Sequence, residues 1–563
     1  MEKRVLIAVL LSFVVLYAYQ AMFPPPPDAA KKPPQASKTA TAPNASAPAP
    51  ANPTPSVQPP AENPGEPARD IVVENADVRA VFTTRGGVLK SWQLKKYRDD
   101  AGRPYEVIAG HAPADATLPF TLAVDDAAMS ATLAAVTFNV RETRTADGWQ
   151  GQFDYDSGGV RAQKIFSIAN AKPYIVTVSA SVTKNQEAVP ATLRWGPALG
   201  SGITVKSNTY NPPAQPIFFR DSDVTRVSPD KISAQPVQEG TFGFAGVDDH
   251  YFLTAVVKPP QALRIDYAPV DVTLADHPEG AHYVSWSARF AAPIQGVSFF
   301  AGPKDFDVLA SVDRDLVRAI HFGKFAWLVV PLLRALKWLN GYVGNYGWSL
   351  VLLTVMINLA MFPLRHKSVV SMRKMQDAQP EVKAIQDRYK NMKMSDPARG
   401  KMNQELMTLY KERGVNPASG CVPMLLTLPV LFAFYSMLSV AIELRGAPFI
   451  LQIKDLSAHD PWYIWPVLMG VTMFIQQKMT PSTADPVQQR VMMIMPVMMT
   501  GMFLWSASGL VIYWTVSNVW GIAQQMITNR LIGPAVVRNV RPPAERRVKN
   551  VGGGRSSQAK ERQ

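Results

Sequence analysis

"TVMINLAMFPLRHKS", residues 354–368, decides how the chain is read. It begins as an apolar run suited to hydrocarbon. Yet it holds an amide at Asn358, a hydroxyl one turn earlier at Thr354, and ends on Arg365, His366 and Lys367. On a helix Thr354, Asn358, Met361 and Arg365 recur at steps of four, three and four, so they share a face. Polar side chains inside a bilayer either bond between helices or line a wet cavity. An amide above a basic cluster favours the cavity, so the stretch predicts a membrane span with one polar face.

Five candidate spans follow the same texture, at 348–364, 422–442, 462–477, 491–505 and 509–527. Several are short or polar at one end, which fits a bundle in a locally thinned bilayer. Their polar residues include Thr427, Thr472, Gln476, Thr500, Tyr513, Ser517 and Asn518. "VMMIMPVMMTGMF" places six methionines between residues 492 and 502. Thioether side chains are pliable and suit varied apolar partners, so Met424, Met473, Met495 and Phe503 are read as a flank open to such partners. Upstream, "FAWLVVPLLRALKWLNGYVGNYGW" carries Pro331, Arg334 and Lys337 and makes a poor span. Its tryptophans and tyrosines suit an amphipathic helix at headgroup level, within 313–346.

Residues 1–23 are apolar behind Lys3 and Arg4, and no A-x-A cleavage pattern follows. An uncleaved anchor with a cytoplasmic N-terminus is expected. Residues 24–69 hold 15 prolines in 46 positions and read as an extended tether. From 70 to 312, "DVRAVFTTRGGVLKSWQL", "YIVTVSASV", "YFLTAVV", "HYVSWSARF" and "VSFFAGP" alternate in the manner of strands, which predicts a large all-β sandwich outside the cytoplasm.

Charge is segregated. The whole chain has a formal charge of +14, but residues 70–313 carry 27 acidic against 22 basic residues. Residues 365–413 hold 12 Lys or Arg, the 443–461 loop two, and the tail from Arg530 nine. That pattern belongs to membrane topology rather than to nucleic-acid binding. It predicts six spans with both ends in the cytoplasm, a core at 347–531, and a basic tail at 532–563. Within 365–414, Met375, Val382, Ile385 and Tyr389 recur at helical steps, and Leu406 and Leu409 stripe a second helix, so a basic hairpin is expected.

Traces of an enzyme are missing: there is no P-loop, no G-x-S-x-G elbow and no H-E-x-x-H. A single cysteine, Cys421, excludes a disulfide framework, and His277 and His282 are poorly spaced for a metal. No cofactor or metal is expected. The competing classes are a secondary transporter or channel, for which no inverted repeat is visible, and a membrane-anchored sugar-binding protein.

The stretches "YVGNYGWSLVLLTV", "MFPL", "NPASGCVPMLLTLPV", "DPWYIWPVLMGVTMF", "DPVQQRVMMIMPV" and "SGLVIYWTVSN" resemble the YidC membrane-protein insertase family. Their order covers the chain from about Val308 to Leu531, and the anchor and β-rich region resemble its Gram-negative branch. The resemblance implies a five-helix core around a hydrophilic groove, open to cytoplasm and lipid and closed outward, with no catalysis in the outer domain. It also implies nascent membrane proteins, the Sec translocon with its accessory SecDF, the ribosome and membrane lipids as partners. Thr354, Tyr513 and Trp514 match groove positions. Relatives carry a basic residue where this chain has Asn358, so Arg365, seven residues on and about 10 Å along the axis, is expected to supply the groove's positive charge.

Overall fold

The computed structural model describes residues 67–99, 101–113, 115–200, 213–275, 277–291, 293–389, 398–414, 422–480 and 486–532. They form two compact units that divide between His321 and Phe322. The expected anchor, tether and basic tail lie outside the described residues.

The first unit is built of three antiparallel sheets. Along Val160–Ala169 and Ile175–Lys184 every second side chain is buried, the signature of a strand with one face in a core. A four-stranded sheet runs in sequence order from Asp70–Glu74 to Pro104–Glu106, with Ala80 opposite Trp92. A broad ten-stranded sheet has Phe252–Val257, Ile294–Pro303 and Ile175–Lys184 as neighbours near its middle. The third sheet orders Val237–Gly240, Leu263–Leu274, His277–Phe290, Thr192–Ala198 and Thr121–Ala123.

Both smaller sheets pack on the broad one. Phe82 lies against Trp149 and Phe166, the Trp92 indole donates to the Ala301 carbonyl at 2.8 Å, and Trp195, Trp286 and Phe299 stack together. Aromatic packing of this kind dominates a core's energetics. The expected sandwich is therefore present, with two short helices added. Asp126 accepts from the amides of Ala128 and Met129 and starts a helix, α1 (Ala127–Ala135). A second, α2 (Phe306–Val312), begins the same way on Asp305.

The second unit is helical: α3 (Ala326–Val343), α4 (Tyr346–Asp377), α5 (Gln379–Arg388), α6 (Ala398–Glu412), α7 (Val422–Val440), α8 (Ile464–Met479), α9 (Pro486–Phe503) and α10 (Ser508–Ile532). α3 packs on α4 and α7, α10 on α4 and α8, and α9 on α8. α3 buries Val329, Leu332, Leu333, Leu336 and Leu339 while exposing Trp327, Trp338 and Tyr342. Two such faces suit a helix with protein on one side and headgroups on the other.

Among the described residues α4 is the one helix long and apolar enough by itself to cross a membrane; Leu428–Val440 and Val491–Phe503 are shorter apolar helices. The 16 residues of α8 reach about 24 Å, short of a hydrocarbon core of about 30 Å. Apolar side chains nevertheless face outward in quantity, among them Leu352, Met356, Leu359, Val467, Val471, Ile494, Met498, Met502 and Val519. So many exposed large apolar side chains on one helical unit suit lipid rather than water.

α4 does not stop near residue 364. It runs for 32 residues, through Pro363, to Asp377. Its polar extension is held by α10, where His366 Nδ1 lies 3.2 Å from Thr528 Oγ1 and Arg373 Nη1 donates to Asn529 Oδ1 at 3.2 Å. The hairpin proper is α5 and α6. Val382, Ile385 and Leu409 form its core, with Tyr389 and Leu406 packed against them. Met375 sits on the α4 extension, half-buried.

Candidate functional site: a polar column between two helices

The face anticipated for Thr354, Asn358 and Arg365 lies on the side of α4 that meets α10. Thr354 Oγ1 donates to the Leu350 carbonyl at 2.7 Å, and Asn358 Nδ2 donates to the Thr354 carbonyl at 2.8 Å. Such i to i−4 bonds let a span carry polar groups without breaking its backbone ladder. Asn358 Nδ2 also lies 3.5 Å from Ser517 Oγ on α10. Its remaining acceptor is taken by Arg365, whose Nη1 donates to Asn358 Oδ1 at 2.9 Å. The guanidinium thus folds back along its own helix to the amide.

Thr354 is not where an open groove would place it. It is fully enclosed, and Asn358 is only 4% exposed. The column first opens at the half-buried Arg365, Tyr513 and Ser517. Tyr513 stacks on Phe434 of α7, ring centres 4.3 Å apart, so three helices meet at this level. Trp514 faces Phe503 edge-on at 5.1 Å. That contact buries Phe503, so of the anticipated apolar flank Met495 faces outward, Met473 is half-buried, and Phe503 is interior packing. Met424 and Thr427 fall on α7, and their side chains lie outside the described residues.

Polar bonding continues between the helices. Asn518 Nδ2 lies 3.3 Å from both the Met469 carbonyl and Thr472 Oγ1, tying α10 to α8. Gln524 Nε2 donates to the Phe362 carbonyl at 3.3 Å, tying α10 to α4. These residues are plain interhelical packing. The column from Asn358 to Arg365 differs because in it a cation hydrogen-bonds a neutral amide.

Sequence reasoning missed the other end of the bundle. Residues 441–463 were legible only as a loop; they form a compact cap. Ala441, Ile442, Leu444, Ala447, Phe449, Ile453 and Leu456 are buried in it, and so is Asp460. The one available signal was "HDP", residues 459–461, an aspartate-proline pair just ahead of a helix.

Two family models match the chain, and their border falls within α3. Residues 70–335 match the model of the YidC periplasmic domain, and residues 338–534 match that of the 60Kd inner membrane protein. The membrane protein insertase YidC of Geobacter metallireducens is 37% identical over 549 residues, covering 95% of this chain and 99% of its own. The chain belongs to the YidC membrane protein insertase family. The YidC of Geotalea daltonii is 35% identical over 546 residues, with 94% and 99% covered. A solved active YidC insertase, with its first transmembrane domain resolved, shares 19% identity and covers 81% of this chain and 91% of its own, at a TM-score of 0.33. YidC proteins are non-enzymatic inner-membrane insertases, and the transporter or channel reading is not favoured.

Proposed function

We propose that this chain inserts nascent membrane proteins by admitting their polar segments to the column between α4 and α10. The observation that carries the reading is the Arg365–Asn358 bond, which sets a cation where the column opens. A charged residue at the centre of a bilayer costs about 2.5–3.5 kcal/mol on the insertion scale. A client tail carrying several such groups needs hydrogen-bonding partners over part of its route. Arg365, Asn358, Ser517 and Tyr513 offer donors and acceptors there, and the Asn358–Arg365 pair can open to receive a carboxylate because, among the described residues, it is a bond between a cation and a neutral amide rather than an ion pair. The client's apolar segment meanwhile partitions into lipid beside the outward-facing methionines of α9, and that burial drives the step.

In this reading the protein has six spans, both termini in the cytoplasm, and a five-helix core whose groove opens to cytoplasm and lipid. Thr427 belongs to its inner wall and Trp514 to its edge, while Thr354 lies in the packed seam behind the wall. It works alone or with the Sec translocon and SecDF, and the basic hairpin and tail hold a ribosome through RNA phosphates.

The test is insertion by the full chain in liposomes. Arg365→Ala should cut insertion of an acidic-tailed client several-fold and spare one with a neutral tail. Asn358→Leu should impair both. Equal loss with both tails for Arg365→Ala would remove the role given to its charge.

A further inference from the structure

At the α4 end opposite Arg365, residues 441–463 bolt the helices together. Lys337 of α3 pairs with Glu443 at 3.1 Å. Asn345 Nδ2 donates to the Phe449 carbonyl at 3.4 Å, and the Phe449 ring lies between Trp348 and Trp465. Gly347 makes this fit possible, since a Cβ there would stand 2.2 Å from that ring. On α10, Ser508 gives the Ala458 carbonyl two bonds, from its amide at 2.7 Å and its hydroxyl at 2.8 Å, while Gly509 N reaches the Leu456 carbonyl at 2.9 Å.

Asp460 locks the cap to α8. It is 1% exposed. Its Oδ1 accepts from Gln452 Nε2 at 3.3 Å and Trp462 N at 3.1 Å, and its Oδ2 from Trp465 N at 2.8 Å. These are charge-assisted bonds at a helix N-terminus, where the free amides and the helix dipole favour an anion. The residue at the start of α8, Tyr463, makes no side-chain cap of its own and holds a left-handed φ of 56°, so the carboxylate supplies what the terminus lacks.

From Gly347 to Asn358 is about 16 Å of helix axis, and along it Gly347, Ser349, Leu350, Leu353 and Thr354 are all buried. A polar segment entering at Arg365 therefore meets packed protein after about 10 Å. We propose that this cap is the permeability barrier of the insertase and that Asp460 is the positioning residue that keeps it ion-tight while a client occupies the column. The inference rests on the column being the client route. Asp460 touches no client; it acts through the α8 terminus.

Proteoliposomes of the full chain test it, with proton leak under a potassium diffusion potential read by an enclosed pH dye, beside insertion of a short-tailed client. Losing one charge-assisted bond raises the loosened population roughly tenfold, so Asp460→Asn should raise the leak about tenfold. Insertion should stay within about twofold of wild type, and Asp460→Glu, which keeps the charge, should leak less than Asp460→Asn. Ser508→Ala, which removes only the hydroxyl bond, should leak in the same direction and carries the test if Asp460→Asn does not fold. Vesicles as tight as wild type with either folded variant would overturn the proposal, as would lost insertion without a leak. If instead Asn358→Leu inserts every client normally, the column reading fails while the leak comparison still stands.

Discussion

Asn358 and Arg365 show how a charge is brought to a neutral site. The amide sits inside the column, and the guanidinium two turns on folds back to bond it. Arg365→Lys should keep the charge but lose the planar donor, giving insertion of acidic-tailed clients between wild type and Arg365→Ala. In the other unit Lys164 presents a different balance. It is fully buried, and its Nζ donates to the carbonyls of Gly86, Gly87 and Phe120 at 2.7, 2.9 and 2.9 Å with no acid among its bonds. Burial pushes its pKa down to about 7. Between about 7 and the ordinary value of 10.5, the unfolded chain holds a proton the folded one has released. Stability of that unit should therefore rise with pH across the window, by at most about 1.4 kcal/mol per unit. Unfolding of the full chain at pH 7 and pH 9 measures this. Lys164→Met should abolish the slope and cost several kcal/mol, because three buried carbonyls lose their donor.

Among the elements, those whose pattern is local were legible in the sequence. Alternation gave away Val160–Ala169 and Ile175–Lys184, and the repeated apolar steps of 382, 385 and 409 gave away the hairpin core. The end of α4 was not legible, because hydropathy falls at Arg365 while the helix continues on contacts with Thr528 and Asn529, more than 150 residues away. The cap was hidden for the same reason: its ties to Lys337, Asn345 and Ser508 are distant in sequence, and it has no period to read. Thr354 shows a subtler limit. Shared helical face was read correctly, but burial depends on how closely α10 approaches, which no local pattern records. In the hairpin, Ile385→Ala should cost about 2–5 kcal/mol of local stability, since the side chain is fully buried. Met407→Ala, half-exposed on α6, should cost under about 0.5 kcal/mol. Hydrogen exchange over residues 379–412 reports both.

At the scale of the whole molecule, chemistry is concentrated in one unit and bulk in the other. The sandwich holds its own aromatic core and its own salt bridges, such as Arg226–Asp248–Lys304, and the column residues Asn358, Arg365, Tyr513 and Ser517 all lie in the helical unit. Deleting residues 70–300 should therefore leave much of the insertion activity, measured with the short-tailed client in liposomes. Loss of all insertion with a folded helical unit would assign the outer domain a direct part in the reaction. Insertion by this route requires that a client's polar tail travel between α4 and α10. A photo-crosslinking residue at Ser517, facing the column, and another at Leu352, which faces outward, settle this on a stalled insertion intermediate. The tail should crosslink at 517 and not at 352. A tail caught at 352, or insertion that proceeds with nothing captured at 517, would contradict a route between α4 and α10.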